Sequence, residues 1–140
     1  MHYLKMLVLA ALLPLACAVG VEGFPQASIL VDGEPVDVRL AATPETRAQG
    51  FQSATPEQIR SERILFTWPD ELEPVFHMNN VAAPLVIAWI AEQEVVAVER
   101  MTPGQGGYRP PEPVDAALEL APEEAEALGI VPGATIRMPE

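Results

Sequence analysis

The sequence feature that most constrains the fold is a short apolar run from Leu85 to Ile90. The run is rich in β-branched and aromatic residues, Pro84 stands before it, and the polar residues Glu92 and Gln93 follow it. A run of this length and composition predicts a strand that is buried on both faces. We therefore expect residues 85–90 to form a core strand.

A polar corner leads into this strand. Val75 to Met78 predicts a shorter strand, and Asn79 and Asn80 follow it. Asparagine tolerates the left-handed backbone of turns, and its side chain hydrogen-bonds turn amides. The corner is therefore expected to place His77, Asn79 and Asn80 beside the core strand. Because side chains alternate along a strand, Met78 should point inward and His77 outward or into a hydrogen bond at the corner.

Turn and cap signals predict the other elements. An Asp-Gly pair at residues 32–33 separates two apolar runs and is a strong β-hairpin signal, since both central positions of its tight turn need positive φ. Threonine followed by proline, at residues 43–44 and again at 55–56, is typical of helix starts. The predicted strands are residues 28–31, 34–40, 64–68, 75–78, 85–90, 95–101, 115–120 and 134–138, and the predicted helical segments are 44–49, one turn at 55–57, and 122–128.

Two segments are expected to be irregular. Residues 69–74 carry two prolines and three carboxylates and predict a loop. Residues 102–113 collect four prolines and three glycines around Tyr108 and Arg109, and such a composition disfavours regular structure. About seven short strands with two short helices predict a mainly β fold, an antiparallel sandwich or a distorted barrel. Trp68, Trp89 and Phe66 are expected to belong to its core.

The first 18 residues have the composition of a secretory signal peptide: a short basic region, an apolar stretch of about ten residues and a small-residue cleavage site. We expect cleavage after Ala18, which leaves a tether of residues 19–26 and a single domain of residues 27–140. Lipidation of Cys17 is the alternative and would anchor the protein to a membrane. The expected location is therefore the periplasm or the exterior, or the envelope surface with a lipid anchor at Cys17.

The chain is strongly acidic. It has 20 carboxylates against eight Lys and Arg, a formal charge of −12, and beyond residue 18 its basic residues are all arginines. Such a domain repels phosphate backbones and anionic lipid headgroups. We therefore expect no nucleic-acid partner, and membrane contact only if Cys17 is lipidated. Keeping an exported domain soluble is the simplest role of the charge, and attraction of cations or basic partners is the alternative.

Beyond residue 18 the chain has one histidine, His77, and no cysteine. A site with several histidines or thiolates is thereby excluded, and no cofactor-binding motif is present. None of the serines that could join His77 in a triad lies in a nucleophile-elbow sequence. His77 and Met78 both suit Cu(I), but adjacent strand residues point to opposite faces. We therefore expect no metal and no cofactor.

The residues around the corner also resemble a known family. Residues 76–81 (Phe-His-Met-Asn-Asn-Val) and 84–90 (Pro-Leu-Val-Ile-Ala-Trp-Ile) resemble the signature of the domain of unknown function 192 (DUF192) family. That signature is usually Phe-Trp-Met-Lys-Asn-Thr and then Pro-Leu-Asp-Ile-x-Phe-Ile. Further likenesses extend the resemblance over almost all of the expected domain, at residues 42–50, 64–66, 118–120 and 129–133.

Three departures from that signature lie at polar positions. His77, Asn79 and Val86 stand where the family usually has Trp, Lys and Asp. The resemblance therefore implies the fold, which is mainly β, more strongly than any activity. The family itself is functionally uncharacterised.

These observations favour a non-enzymatic binding or accessory module of the cell envelope with an unidentified small-molecule or protein ligand. Its site is expected between the corner and the Tyr108–Arg109 loop, where Arg109 would bind a carboxylate and His77, Asn79 and Asn80 would supply hydrogen bonds. An enzyme that uses His77 as general acid or base beside a carboxylate is one alternative. A structural part of an envelope assembly is the other.

Overall fold

A computed structural model describes residues 20–138, so the expected signal peptide and Cys17 lie outside the described residues. These residues form a curled seven-stranded β-sheet, a second sheet of two short strands, and three short α-helices. The strands are β1 (Gln26–Val31), β2 (Glu34–Ala41), β3 (Ile64–Leu72), β4 (Phe76–His77), β5 (Leu85–Ala91), β6 (Glu94–Met101), β7 (Gly106–Tyr108), β8 (Val114–Leu120) and β9 (Ile136–Arg137), and the helices are α1 (Pro44–Gln49), α2 (Pro56–Ser61) and α3 (Pro122–Leu128).

The large sheet has the strand order β6-β5-β8-β3-β2-β1-β9 and curls until its two edges meet. At this seam Glu94 bridges to Thr135, and the Val95 N–H donates to the Ala134 carbonyl at 2.9 Å. The mainly β prediction is confirmed, in the form of a distorted barrel closed along part of one seam. The β2–β3 pair is parallel, because α1 and α2 form the crossover that a parallel pair requires.

Strand β5 is buried on both faces, as predicted, and lies between β6 and β8. Its alternate side chains enter two apolar clusters. The barrel cluster draws on all seven strands of the large sheet and comprises Ile29, Val31, Val36, Val38, Leu65, Val86, Ala88, Ile90, Val95, Ala116, Leu118, Leu120, Ala125, Ile130, Ala134 and Ile136. The cover cluster lies beneath α2 and the polar corner and comprises Val21, Phe24, Ala41, Phe51, Ala54, Ile59, Ile64, Phe66, Met78, Val81, Leu85, Ile87, Trp89, Met101, Val114 and Ala117.

The turns and helix caps that the sequence predicts are present in the structure. Asp32 and Gly33 have φ angles of 47° and 86° and join β1 to β2. Thr43 and Thr55 each cap a helix through the backbone N–H three residues later, and Gly129 ends α3 with φ 69°. The segment expected to be a single turn at residues 55–57 is a complete helix, so the described part of the chain has three α-helices instead of two.

Two loop predictions are wrong. Strand β3 does not end at Trp68 but continues to Leu72, where it pairs with Val114 after a register shift. The segment 102–113 contains β7, which pairs with β4. Both segments are strands because each shares backbone hydrogen bonds with a strand that is distant along the chain, β8 for the end of β3 and β4 for β7. No helix among residues 20–138 is long and apolar enough to cross a membrane.

Candidate functional site

The polar corner and the glycine-rich loop lie against each other. Strands β4 and β7 pair, with Phe76 opposite Tyr108 and His77 opposite Gly106. The Met78 N–H also donates to the Gln105 carbonyl at 2.7 Å. The corner and the Tyr108–Arg109 loop are therefore neighbours, as the site predicted from the sequence requires.

The side chains predicted to form the site mostly make hydrogen bonds to nearby residues or are exposed. The exposed His77 accepts a hydrogen bond from the Asn79 backbone N–H at Nδ1 (3.2 Å), while Met78 is fully buried. Asn80 has φ 58°, and its side chain donates to Gln52 Oε1 at 3.4 Å. The Tyr108 hydroxyl accepts from the Thr102 N–H at 2.9 Å. Arg109 is exposed, and within residues 20–138 no group of three or more His, Cys, Asp or Glu is arranged to hold a metal ion.

A cleft of about 260 Å³ lies beside the corner. We call it the Glu119 cleft: its walls are residues 47–52, Phe66 and Trp68 of β3, residues 74–77, Val81, and Glu119 of β8. His77 stands at its edge. Asn79, Asn80, Tyr108 and Arg109 do not line it.

Three aromatic rings form one wall of this cleft. Phe66 and Phe76 meet edge to face at 4.9 Å between centroids, and Phe76 meets Trp68 in the same way at 6.1 Å. Phe66 and Trp68 are nearly parallel at 6.3 Å. Phe66 is buried in the core, as expected, whereas Trp68 is only half-buried because one side of its ring borders the cleft. Aromatic rings of this kind can make stacked or edge-to-face contacts with a flat apolar group.

Glu119 provides the acidic group of the cleft. It lies in the middle of the sheet, between Ile64 of β3 and Ile87 of β5, and only 5% of its surface is exposed. Burial raises the pKa of its carboxyl group from 4.5 to about 8, and no hydrogen bond or ionic partner within residues 20–138 offsets this effect. The carboxyl group is therefore mostly protonated at neutral pH and can donate a hydrogen bond.

Arg47 provides the basic group. Its Nη1 donates to the carbonyl oxygens of Ala42 (2.9 Å) and Thr67 (3.0 Å). Its guanidinium carbon lies 6.0 Å from the centre of the Trp68 ring, within the range of a cation–π contact. These contacts fix the guanidinium at the cleft wall.

Gly50 lies against Phe66 and the acidic group. Its φ of 47° and ψ of −133° suit glycine, and it follows α1 as the C-cap residue. A methyl group at this position would lie 3.5 Å from the Phe66 ring and 3.9 Å from Oε1 of Glu119. Both distances are ordinary van der Waals contacts, so it is the positive φ that favours glycine at this position.

Sequence reasoning found His77 but missed Glu119, Arg47 and Trp68 as site residues. The available signal was the one acidic residue in the otherwise apolar stretch Ala116 to Leu120, because a carboxylate inside a strand of this kind is expected either to be paired or to be functional.

Comparisons with known proteins agree with this fold. The model of the DUF192 family, described as "Uncharacterized ACR", matches residues 27–138. No curated protein matches the chain. A crystal structure of a protein of unknown function from Novosphingobium aromaticivorans is 25% identical with a TM-score of 0.72, over 84% of this chain and 88% of that one. A "putative transcription regulator" from Sinorhizobium meliloti is 22% identical with a TM-score of 0.71, over 86% of this chain and 96% of that one.

Proposed function

This chain belongs to the DUF192 family, and from the chemistry of the Glu119 cleft we propose that it is a non-enzymatic binding module for a small organic molecule. One observation carries the proposal: the buried carboxyl group of Glu119, which has no hydrogen-bond or ionic partner within residues 20–138, faces a cleft lined by aromatic rings. Apolar clefts with a few convergent polar groups are typical of small-molecule sites.

The carboxyl group of Glu119 is accessible from the cleft. Within residues 20–138 the fully buried side-chain atoms without a hydrogen bond are Trp89 Nε1 and Asp115 Oδ1, and the oxygens of Glu119 are not among them. Burial of the side chain nevertheless disfavours the charged carboxylate and raises the pKa of Glu119 to about 8. A ligand in the cleft could therefore exchange a hydrogen bond with the protonated carboxyl group.

The experiment is a thermal-shift screen of residues 19–140 against amino acids, sugars, small carboxylates, amines and divalent metals. A ligand at a hundred times its dissociation constant should stabilise the protein by about 2.7 kcal/mol. The shift should shrink in Trp68→Ala and persist in Arg109→Ala, because Arg109 lies outside the cleft. A shift lost in Arg109→Ala and kept in Trp68→Ala would instead favour the site predicted between the corner and the Tyr108–Arg109 loop.

An enzymatic role is the second candidate, and one observation favours it. His77 and Glu119 line the same cleft, and a carboxyl group with a pKa of about 8 can exchange protons near neutral pH. Any turnover found should disappear in both His77→Ala and Glu119→Gln. Turnover that survives either substitution would exclude this role for that residue.

We further propose that the protein is exported, with residues 1–18 as its signal peptide. The composition of those residues supports this proposal: a short basic region, an apolar stretch and a small-residue cleavage site. Intact-mass measurement of the protein from envelope extracts should give residues 19–140, and Cys17→Ala should leave that mass unchanged. An acylated species that starts at Cys17, lost in Cys17→Ala, would replace cleavage after Ala18 by a lipid anchor.

The description of the Sinorhizobium protein as a transcription regulator does not extend to this chain. The identity of 22% supports a shared fold alone. A formal charge of −12 also opposes the phosphate contacts that supply most DNA affinity.

A further inference from the structure

We propose, building on the binding function above, that the Glu119 cleft takes a small organic acid with a flat apolar body, whose carboxylate is held by Arg47 and by the carboxyl group of Glu119. Three features of the cleft support this ligand class: the free edge of a fixed guanidinium, a neutral hydrogen-bond donor, and a wall of aromatic rings.

Arg47 presents part of its guanidinium to a ligand. Its two hydrogen bonds within residues 20–138 both use Nη1, so Nε and Nη2 are not engaged there. These two groups form one edge of the planar fork that binds carboxylates with two parallel hydrogen bonds. The contacts to Ala42, Thr67 and Trp68 fix the fork in advance, which reduces the entropy lost when an acid binds.

Glu119 favours an acid over an amine. A protonated carboxyl group can donate to a ligand carboxylate without a change in its own charge. An ammonium ligand would instead meet a neutral carboxyl group with no opposite charge to pair with, and it would share the cleft with the positive charge of Arg47. Both effects disfavour cationic ligands at neutral pH.

The size of the cleft sets the size of the apolar body. An engineered apolar cavity of about 150 Å³ holds benzene. The cleft has about 260 Å³, room for one ring and a carboxylate. The rings of Phe66, Trp68 and Phe76 supply the stacking and edge contacts for that body.

Three probes that share a benzene ring and differ in the charge of their polar group test this inference: benzoate, benzamide and benzylamine, titrated into residues 19–140 and followed by the NMR signals of the Gly50 amide and the Trp68 indole. Benzoate should perturb both signals most strongly at pH 7. Arg47→Lys should lower the affinity for benzoate by about tenfold or more, since the bidentate contact is lost. Arg109→Lys is the matched control and should bind benzoate as the wild type does.

A pH series assigns the role of Glu119. The titratable side chains that line the cleft are Arg47, His77 and Glu119, and the strand neighbours of Glu119 are Ile64 and Ile87. Benzoate affinity should fall by roughly tenfold between pH 8 and pH 9.5 as Glu119 ionises. In Glu119→Gln, which stays neutral, affinity should not change over this range.

Each contrary result has a separate meaning. Preferred binding of benzylamine, with an affinity that rises with pH, would overturn the organic-acid inference and leave the binding function intact. Equal benzoate affinity in Arg47→Lys would overturn the role of Arg47 and with it the inference. If no probe perturbed Gly50 or Trp68, the inference would be wrong, and the binding function would be decided by the broader screen of ligand classes.

Discussion

The burial of one carboxyl group makes the stability of this protein depend on pH. Glu119 has a pKa of about 8 when folded, against an ordinary value of 4.5. The folded state therefore holds a proton that the unfolded state has lost, and between these two values the free energy of unfolding falls as pH rises. The full penalty, several kcal/mol with about 5 kcal/mol as its upper limit, is reached above pH 8.

Glu119→Gln should remove this dependence because glutamine has no proton to lose. Urea denaturation at pH 5 and pH 9 should show a large loss of stability for the wild type and a much smaller one for the variant. Glu126→Gln, an exposed substitution on α3, is the control and should behave as the wild type does. Equal losses in wild type and Glu119→Gln would show that another group carries the pH dependence.

Gly50→Ala should lower the free energy of unfolding by about 1–3 kcal/mol, because its backbone conformation is strained for any residue with a side chain. The added methyl group would also touch Phe66 and approach Glu119. Gly20→Ala is the matched control: Gly20 has φ −62°, and a methyl group there would meet nothing within 4 Å. Urea denaturation of both variants measures the difference, and equal stabilities would contradict the strain assigned to Gly50.

At the residue scale, the sequence could predict the direction in which a side chain points but not how deeply the side chain is buried. Strand alternation correctly placed Met78 inside and His77 outside, because neighbouring side chains of a strand must point to opposite faces. The burial of Glu119 depends instead on what covers the sheet, namely residues 47–52 and β4, which are distant along the chain. No local pattern contains that information.

At the element scale, the two tight hairpins differ in how well their sequences suit their turns. Asp32-Gly33 uses the preferred residues, whereas Glu92 and Gln93 adopt φ angles of 51° and 62° between β5 and β6 without glycine or asparagine. The double substitution Glu92→Asn with Gln93→Gly should therefore raise the free energy of unfolding by about 1 kcal/mol.

Thermal denaturation measures that gain. The Gln93 carbonyl accepts a hydrogen bond from the Ile136 N–H, and the substitution retains this backbone group. Gly33→Ala is the opposite control and should destabilise by a similar amount, since alanine is unfavourable at φ 86°. No change in stability of the double variant would show that the β5–β6 turn is already relaxed.

Elements with a local signal were predictable, and elements defined by a distant partner were not. Strand β5 and the β1–β2 hairpin follow from composition and turn residues. The continuation of β3 through Pro69 and the strand β7 within a glycine-rich loop depend on pairing with β8 and β4. Proline and glycine argue against strands locally, but long-range hydrogen bonding decided the outcome here.

At the scale of the whole molecule, the two faces of the curled sheet have different roles. The barrel cluster, to which every strand of the large sheet contributes, stabilises the fold. The opposite face of β3, β5 and β8 supports the cover cluster and, at its margin, the Glu119 cleft. Phe66, Trp68 and Glu119 of the cleft therefore stand on strands whose opposite face packs into the barrel cluster, which helps to preorganise this part of the site.

Closure of the barrel rests on the short strand β9. Ile136 is fully buried in the barrel cluster, pairs with Val31, and donates its N–H to Gln93 beside the seam. Ile136→Ala should therefore lower the free energy of unfolding by about 2–5 kcal/mol, the range for removing a large aliphatic side chain from a core. Val131→Ala, at a position 56% exposed, should change it by less than about 0.5 kcal/mol. Urea denaturation compares the two, and a loss below about 1 kcal/mol in Ile136→Ala would mean that the barrel is stable without this closure.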